Sequence, residues 1–187
     1  MIKKLIAVLI LLQTSLMFSA YTNPDTYKID AAKNAQIHNN LGLEAVSDEN
    51  YYTAIQEFHI AIALNPKTQA TAVYYNNLGE VYMKIGHYKD AQYCFEKSMT
   101  QYNLNFLYYQ NLVKSFKAQN LVKSKIKHYE LKQDKNKLNM IILGLLYVEN
   151  GETKKGIIKL DEFCMSEPDL LITNAVRNYL ENIVPKY

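Results

Sequence analysis

Apolar and small residues recur along this chain at the spacing of paired helices. Within residues 75–95, which read YNNLGEVYMKIGHYKDAQYCF, Leu78 and Tyr82 lie one helical turn apart and therefore share a face. Gly79 and Ala91 are small enough to let two helix axes approach closely. The pattern predicts two antiparallel helices joined by a tight turn at the intervening glycine.

The same register occurs three times in the chain. The step from a Leu-Gly pair to the small residue of the second helix is 13 residues in every copy: Leu41 to Ala54, Leu78 to Ala91, and Leu143 to Gly156. A single helical hairpin cannot bury its apolar stripe alone, so repeated hairpins are expected to stack on one another.

These residues resemble the tetratricopeptide repeat, in which an aromatic residue, Leu-Gly, Tyr, Ala, Phe and a closing Pro are spaced over 34 positions. The resemblance implies an all-α, right-handed superhelical solenoid that binds other proteins. We predict four repeats, a lead-in that includes the start of the first helix, and a C-terminal capping helix and tail, with Asp169 as the N-cap of that last helix. Their ranges are 21–34 for the lead-in, 35–68, 72–105, 106–136 and 137–170 for the repeats, and 171–187 for the cap.

The third repeat departs from the pattern. Val113 stands in place of the glycine and Lys125 in place of the small residue, so we expect its two helices to pack differently. Residues 114–137 also carry eight lysines against Glu130 and Asp134, a segment charge of +6. This basic run is either a solvated face or a contact for an acidic ligand segment.

Residues 1–20, MIKKLIAVLILLQTSLMFSA, have the layout of a secretory signal peptide. Lys3 and Lys4 precede a short apolar run, which is followed by Ser19 and Ala20. The apolar run is short for a membrane span, which needs about 20 residues. We predict export to a periplasmic or secreted location, as in a bacterial envelope, with no stable transmembrane span after removal of the signal. An uncleaved signal that tethers the protein is the alternative.

The net charge of the chain bears on the class of its binding partner. The formal charge is +3, and the loss of Lys3 and Lys4 with the signal would leave +1, which is too near neutral to favour nucleic acid as a partner.

The two cysteines, Cys94 and Cys164, fall on second helices a whole repeat apart. Because a disulfide needs Cα atoms within about 7 Å, both thiols are predicted to be free and buried.

No pattern indicates catalysis, a metal site or a cofactor. The four histidines are spread over three repeats without metal-ligand spacing, and no glycine-rich phosphate loop occurs. Catalysis would need a converging nucleophile and base, or paired carboxylates. We therefore predict a protein that is not an enzyme.

In the resembling family, the first helix of each repeat lines the concave side of the solenoid. Carried onto this sequence, that resemblance implies a protein-binding groove formed by Asn39, Asn40, Leu43, Asn76, Asn77, Glu80, Met83, Gln110, Asn111, Lys114 and Lys117. Side-chain amides carry donors and acceptors, so this row could satisfy the backbone of an extended peptide. The alternative is that asparagine is simply common at these positions. In repeat four the inner positions are apolar, and either grip a hydrophobic side chain or are covered by the cap.

The function predicted is that of a non-enzymatic adaptor or scaffold in the exported compartment. It would bind a protein or an extended peptide in the groove, with an acidic segment as a candidate ligand for Lys114 and Lys117, and would itself be a monomer. The alternative is a structural envelope protein that self-associates through the first repeat or through residues 21–33.

Overall fold

The computed structural model describes residues 30–184, so the predicted signal peptide and residues 21–29 lie outside the described residues, as do residues 185–187. Between residues 30 and 184 the chain forms nine α-helices and no strand. They are α1 (Ala31–Ser47), α2 (Tyr51–Leu64), α3 (Gln69–Lys84), α4 (Tyr88–Gln101), α5 (Phe106–Ala118), α6 (Val122–Glu130), α7 (Asn139–Glu149), α8 (Thr153–Ser166) and α9 (Leu171–Ile183).

The first eight helices form four consecutive hairpins, and α9 follows the last one. In three hairpins a glycine of the first helix meets a large side chain of the second. A Cβ built on the glycine would come within 2.6 Å or less of that side chain. The three pairs are Gly42 with Phe58, Gly79 with Phe95, and Gly144 with Leu160. The partner side chains are buried, which explains why the pattern requires glycine there.

All four hairpins turn through a residue with positive φ at the same place in the repeat. Gly86 and Gly151 have φ of 79° and 83°, whereas Glu49 and Asn120 adopt φ of 58° and 59° in the first and third hairpins. Glycine reaches this left-handed region without a steric penalty, and a residue with a Cβ does not. The turn geometry is therefore maintained even where the sequence lacks glycine.

The third hairpin is splayed, as its departures from the pattern indicated. Helices α5 and α6 pack against each other far less than the helices of the other three hairpins. Val113 is buried where the other repeats have glycine, and Lys125 Nζ lies 4.4 Å from the centroid of the Phe116 ring. Tyr129, the counterpart of Phe95, stays only partly buried. Larger side chains at both close-contact positions keep the two helices apart.

Helix α9 closes the C-terminal end of the described chain. It packs on α8 and also reaches α5, where the Tyr179 ring lies 5.4 Å from the Phe106 ring at an interplanar angle of 59°. An N-cap at Asp169 was expected from sequence and is wrong. The cap residue is Leu170, whose side chain makes no capping bond, and the Thr173 hydroxyl instead donates to the Glu167 carbonyl.

The apolar core runs along the stacked hairpins. Its largest cluster extends from α4 to α9, and two smaller clusters lie within the first two repeats. Cys94 and Cys164 are both free and buried, as predicted. Burial raises the pKa of the Cys94 thiol from 9.0 to about 12, which fits a packing role rather than a reactive one.

Candidate protein-binding groove

The predicted amide row joins neighbouring repeats. Asn77 Nδ2 donates to Asn39 Oδ1 at 2.9 Å, and Asn111 Nδ2 donates to Asn76 Oδ1 at 2.9 Å. Asn39, Asn76 and Asn111 are buried, and the structure therefore brings these amides together as inter-repeat contacts. Much of their hydrogen-bonding capacity is used within the solenoid.

A carboxylate extends this network toward solvent. Glu80 Oε1 accepts from Asn76 Nδ2 and from Asn111 Nδ2, both at 2.9 Å. One bond lies within α3 and the other crosses to α5. The exposed Glu80 side chain is therefore held in one position and places a negative charge among the predicted groove residues.

The two groove lysines differ in their surroundings. Lys117 Nζ lies 2.7 Å from Glu149 Oε2, which joins repeats three and four, and the hydrogen bond to Glu149 raises the pKa of Lys117. Lys114 is exposed, contacts Asn111 Oδ1 at 3.5 Å, and forms no ion pair with any residue between 30 and 184. Of the two, Lys114 is the lysine whose charge is not neutralised by a neighbour.

Apolar side chains reach solvent on three successive first helices. Leu43 on α1 is 44% exposed, while Val73 on α3 and Leu107 on α5 are each 42% exposed. Met83, which follows Val73 by ten residues on α3, is half-buried. Val73 and Leu107 both occupy the second position of their repeat, one of the positions that the family resemblance places on the concave side.

Asn40 and Gln110 complete the predicted set. Asn40 is exposed on α1, and its Oδ1 lies 3.5 Å from Asn39 Nδ2. Gln110 is half-buried and lines a cavity of about 150 Å³ with Lys114, Glu149 and Tyr179. Both therefore lie beside the inter-repeat amide network rather than within it.

The inner positions of repeat four are buried. The apolar inner residues Ile141, Ile142 and Leu145 are buried, so they are covered rather than available to a ligand. Tyr179 of α9 lines the small cavity next to Leu145. The cap named in the sequence alternative is not their main cover, because α5, α6 and α8 pack against α7 more extensively than α9 does.

Between residues 30 and 184 no group of three His, Cys, Asp or Glu side chains could hold a metal ion. His38 Nδ1 lies 2.6 Å from Glu57 Oε2 and ties α1 to α2, a pairing that the sequence spacing did not indicate. In the same part of the chain, none of the helices has the length and apolar character needed to cross a membrane.

Comparisons with known proteins agree with this geometry. Residues 72–105 match the family model of the tetratricopeptide repeat. The chain is similar to MamA, with 18% identity and a TM-score of 0.50 over 81% of this chain and 88% of that chain. The chain is also similar to PilF of Pseudomonas aeruginosa, with 16% identity and a TM-score of 0.50 over 80% of this chain and 68% of that chain.

A third similar structure is a tetratricopeptide repeat protein from Parabacteroides merdae. It gives 13% identity and a TM-score of 0.51 over 81% of this chain and 60% of that one. No curated protein matches the sequence significantly. At these identities the likeness shows the fold alone, and it confirms the predicted all-α tetratricopeptide-type solenoid.

Proposed function

We propose that this tetratricopeptide-repeat solenoid is a non-enzymatic adaptor that binds an extended segment of another protein along the first helices of repeats one to three. The observation that carries the proposal is the exposure of Leu43, Val73 and Leu107 on successive first helices. A partner that covers this exposed apolar surface would stabilise the complex by about 25 cal/mol for each Å² removed from water. Val73 and Leu107 share the second position of their repeats, and Leu43 is the ninth residue of repeat one, so exposed apolar surface is spread over three stacked repeats, which suits an elongated ligand.

The polar residues beside that row support a peptide as the ligand. Asn77 and Gln110 are half-buried and Asn40 is exposed, so each presents part of an amide to the groove. An extended peptide offers alternating backbone donors and acceptors, which amides can match without demanding one sequence. Asn76 and Asn111 have a different role in this proposal, since they hold adjacent first helices in register.

The charge distribution favours a ligand with an acidic residue near repeat three. Lys114 has no carboxylate partner among residues 30–184, whereas Lys117 is already paired with Glu149. A charge-assisted contact to Lys114 would add orientation to the apolar contacts. We assign the ligand contact to Lys114 and a bracing role to Lys117.

Export is part of the proposal and rests on the sequence of residues 1–20. A basic start and a short apolar run support secretion across a membrane, with the adaptor acting in the periplasm or outside the cell. Fractionation followed by mass measurement of the intact protein tests this. An exported product shorter than the full chain by the signal supports it, and a full-length cytoplasmic product contradicts it.

Site-specific photo-crosslinking tests the groove directly. A photo-reactive residue at Leu43 or at Leu107 should capture the same partner in the native compartment. The control position is Tyr93 on α4, which is also exposed but lies on a second helix. Equal capture from Tyr93, or capture from Tyr93 alone, would place binding elsewhere.

The charge contact has its own test. Lys114→Glu should weaken recovery of the cross-linked partner by about tenfold, which corresponds to about 1.4 kcal/mol, and more at low ionic strength. Lys123→Glu on α6 makes the same charge change at an exposed residue outside the groove and should leave recovery unchanged. If the two variants bind alike, Lys114 does not contact the ligand.

Self-association is a second candidate because the first repeat has an open face. Leu41 is 43% exposed and Ile37 is 47% exposed, whereas Leu78, the counterpart of Leu41 in repeat two, is buried. Later repeats cover this face with the preceding hairpin. Light scattering over a wide concentration range separates the candidates, since the adaptor is expected to stay a monomer.

A further inference from the structure

A second recess, separate from the groove, lies beside the splayed third hairpin. It has a volume of about 400 Å³ and is lined by residues of α4, α5, α6, the segment after α6 and the start of α7. None of the predicted groove residues lines it, and neither does Val73 or Leu107. Because α6 packs loosely on α5, the second helix of this repeat leaves space that the regular hairpins fill.

The recess is lined mainly by groups that donate hydrogen bonds or carry positive charge. The polar and charged residues are the lysines Lys125 and Lys132, the imidazole of His128, the hydroxyl-bearing Thr100, Tyr109 and Tyr129, the amides Asn103, Asn136 and Asn139, and the carboxylate Glu96. Glu96 is the only acidic residue among these lining residues. It is exposed on α4 and accepts a bond from Gln92 Nε2 at 2.9 Å.

His128 lies close enough to both lysines for their charges to act on it, and this keeps the imidazole mostly neutral at neutral pH. Burial lowers the pKa of His128, and the positive charges of Lys132 and Lys125 lower it further. Burial and the charge of Glu96 raise the pKa of Tyr129 to about 12, so its hydroxyl stays protonated at neutral pH. Neither Lys125 nor Lys132 forms an ion pair within residues 30–184.

We propose that this recess binds a multiply charged, phosphate-type anion. Lys125 occupies the position where the regular repeats place a small residue; the residue is half-buried and its Nζ lies 4.4 Å from the centroid of the Phe116 ring. Glu96 lines the same recess but forms no ion pair with Lys125 or Lys132, so an anion between the two lysines would balance charge that no carboxylate contacts directly. The Tyr109 hydroxyl already donates to the Asn103 carbonyl and the Asn139 amide to the Lys132 carbonyl, so the hydrogen bonds to phosphate oxygens would come from the Tyr129 hydroxyl and the Asn103 and Asn136 amides.

The proposal goes beyond the adaptor function, because the recess and the groove share no residue. A soluble diphosphate and the headgroup of an anionic phospholipid present the same chemistry to these cations. The recess volume falls within the range of about 300–1,000 Å³ that is usual for small-molecule sites. Direct binding experiments distinguish the two sources.

The test uses the full chain with two probes. Calorimetry with inorganic pyrophosphate measures the soluble anion, and co-sedimentation with phosphatidylglycerol vesicles, against phosphatidylcholine vesicles, measures the headgroup. Lys125→Gln with Lys132→Gln removes two charges from the recess. Lys123→Gln with Lys127→Gln removes two charges from exposed positions of α6 that do not line it.

We expect the recess variant to lose at least about tenfold in affinity, and the control to stay within about twofold of the wild type, because only the recess lysines would contact the anion. Selective binding of pyrophosphate indicates a soluble ligand, and selective binding of phosphatidylglycerol vesicles alone indicates a headgroup. Absence of binding to both probes overturns the proposal, as do equal losses or no losses in the two variants. If Lys125→Gln unfolds the chain, Lys132→Gln alone is compared with Lys127→Gln under the same criteria.

Discussion

Replacement of Gly79 by valine tests how the helices of a repeat are held together. A Cβ at Gly79 would lie 2.5 Å from Cε1 and 2.9 Å from Cδ1 of Phe95. Phe95 is fully buried, so its ring has no solvent to move into. Val113 occupies the corresponding position of the third repeat, where α5 and α6 are splayed. We therefore expect Gly79→Val to force α4 away from α3.

The size of the effect follows from that geometry. Overpacking a dense core costs about 1–3 kcal/mol, and contact with a buried ring belongs at the upper end of this range. Valine recovers only about 0.4 kcal/mol over glycine in helix propensity. The free energy of unfolding should therefore fall by about 2–3 kcal/mol. A fall of this size lowers the Tm of a chain of this length by about 4–12 °C.

Guanidinium unfolding followed by circular dichroism measures this loss. Lys84→Val introduces the same residue at an exposed position of α3 and should change stability by no more than about 0.5 kcal/mol. Phe95→Leu shortens the opposing side chain, so the double variant should be more stable than the sum of the single losses by about 1 kcal/mol. A Gly79→Val protein within about 0.5 kcal/mol of wild type, or strictly additive losses, would refute the steric argument.

Two further predictions concern a turn and a thiol. Glu49→Gly should raise the free energy of unfolding by about 0.5–1 kcal/mol, because glycine adopts the φ of 58° without strain. Asn120→Gly should raise it by less, because asparagine tolerates the left-handed region. A larger gain at Asn120 than at Glu49 in the same unfolding assay would contradict this. The Cys94 thiol should resist iodoacetamide at neutral pH until the chain is unfolded, as read by mass spectrometry. The pKa of that thiol is 9.0 in the unfolded chain and about 12 in the folded one, so the free energy of unfolding should fall as pH rises between these values. The fall should be smaller in Cys94→Ala. An equal dependence of stability on pH in the two proteins would contradict the raised pKa of Cys94.

The repeats could be predicted because their contacts are local. Gly79 and Phe95 belong to one hairpin, so the spacing of small and large residues along the chain directly encodes their contact. The same reasoning identified the third hairpin as irregular, since Val113 and Lys125 occupy close-contact positions. Side-chain size at fixed offsets was sufficient evidence in both cases.

Contacts between elements distant in sequence could not be predicted in the same way. The His38 pairing with Glu57 depends on which faces of α1 and α2 meet, and the asparagine bonds depend on the register of one repeat against the next. Exposure of Val73 and Leu107 depends on how tightly neighbouring first helices pack. The N-cap at Asp169 failed because another residue separates it from the first turn of α9.

The sequence by itself determined the helical hairpins, their number and their small-to-large contacts, because residues within a few helical turns interact through fixed periodicity. Only the tertiary structure decided that α9 reaches α5, that the apolar residues of repeat four are covered, and that a polar recess lies beside α6. These features depend on the angles at which whole hairpins pack. Those angles result from many small contacts across the stack, and no single spacing in the sequence records them.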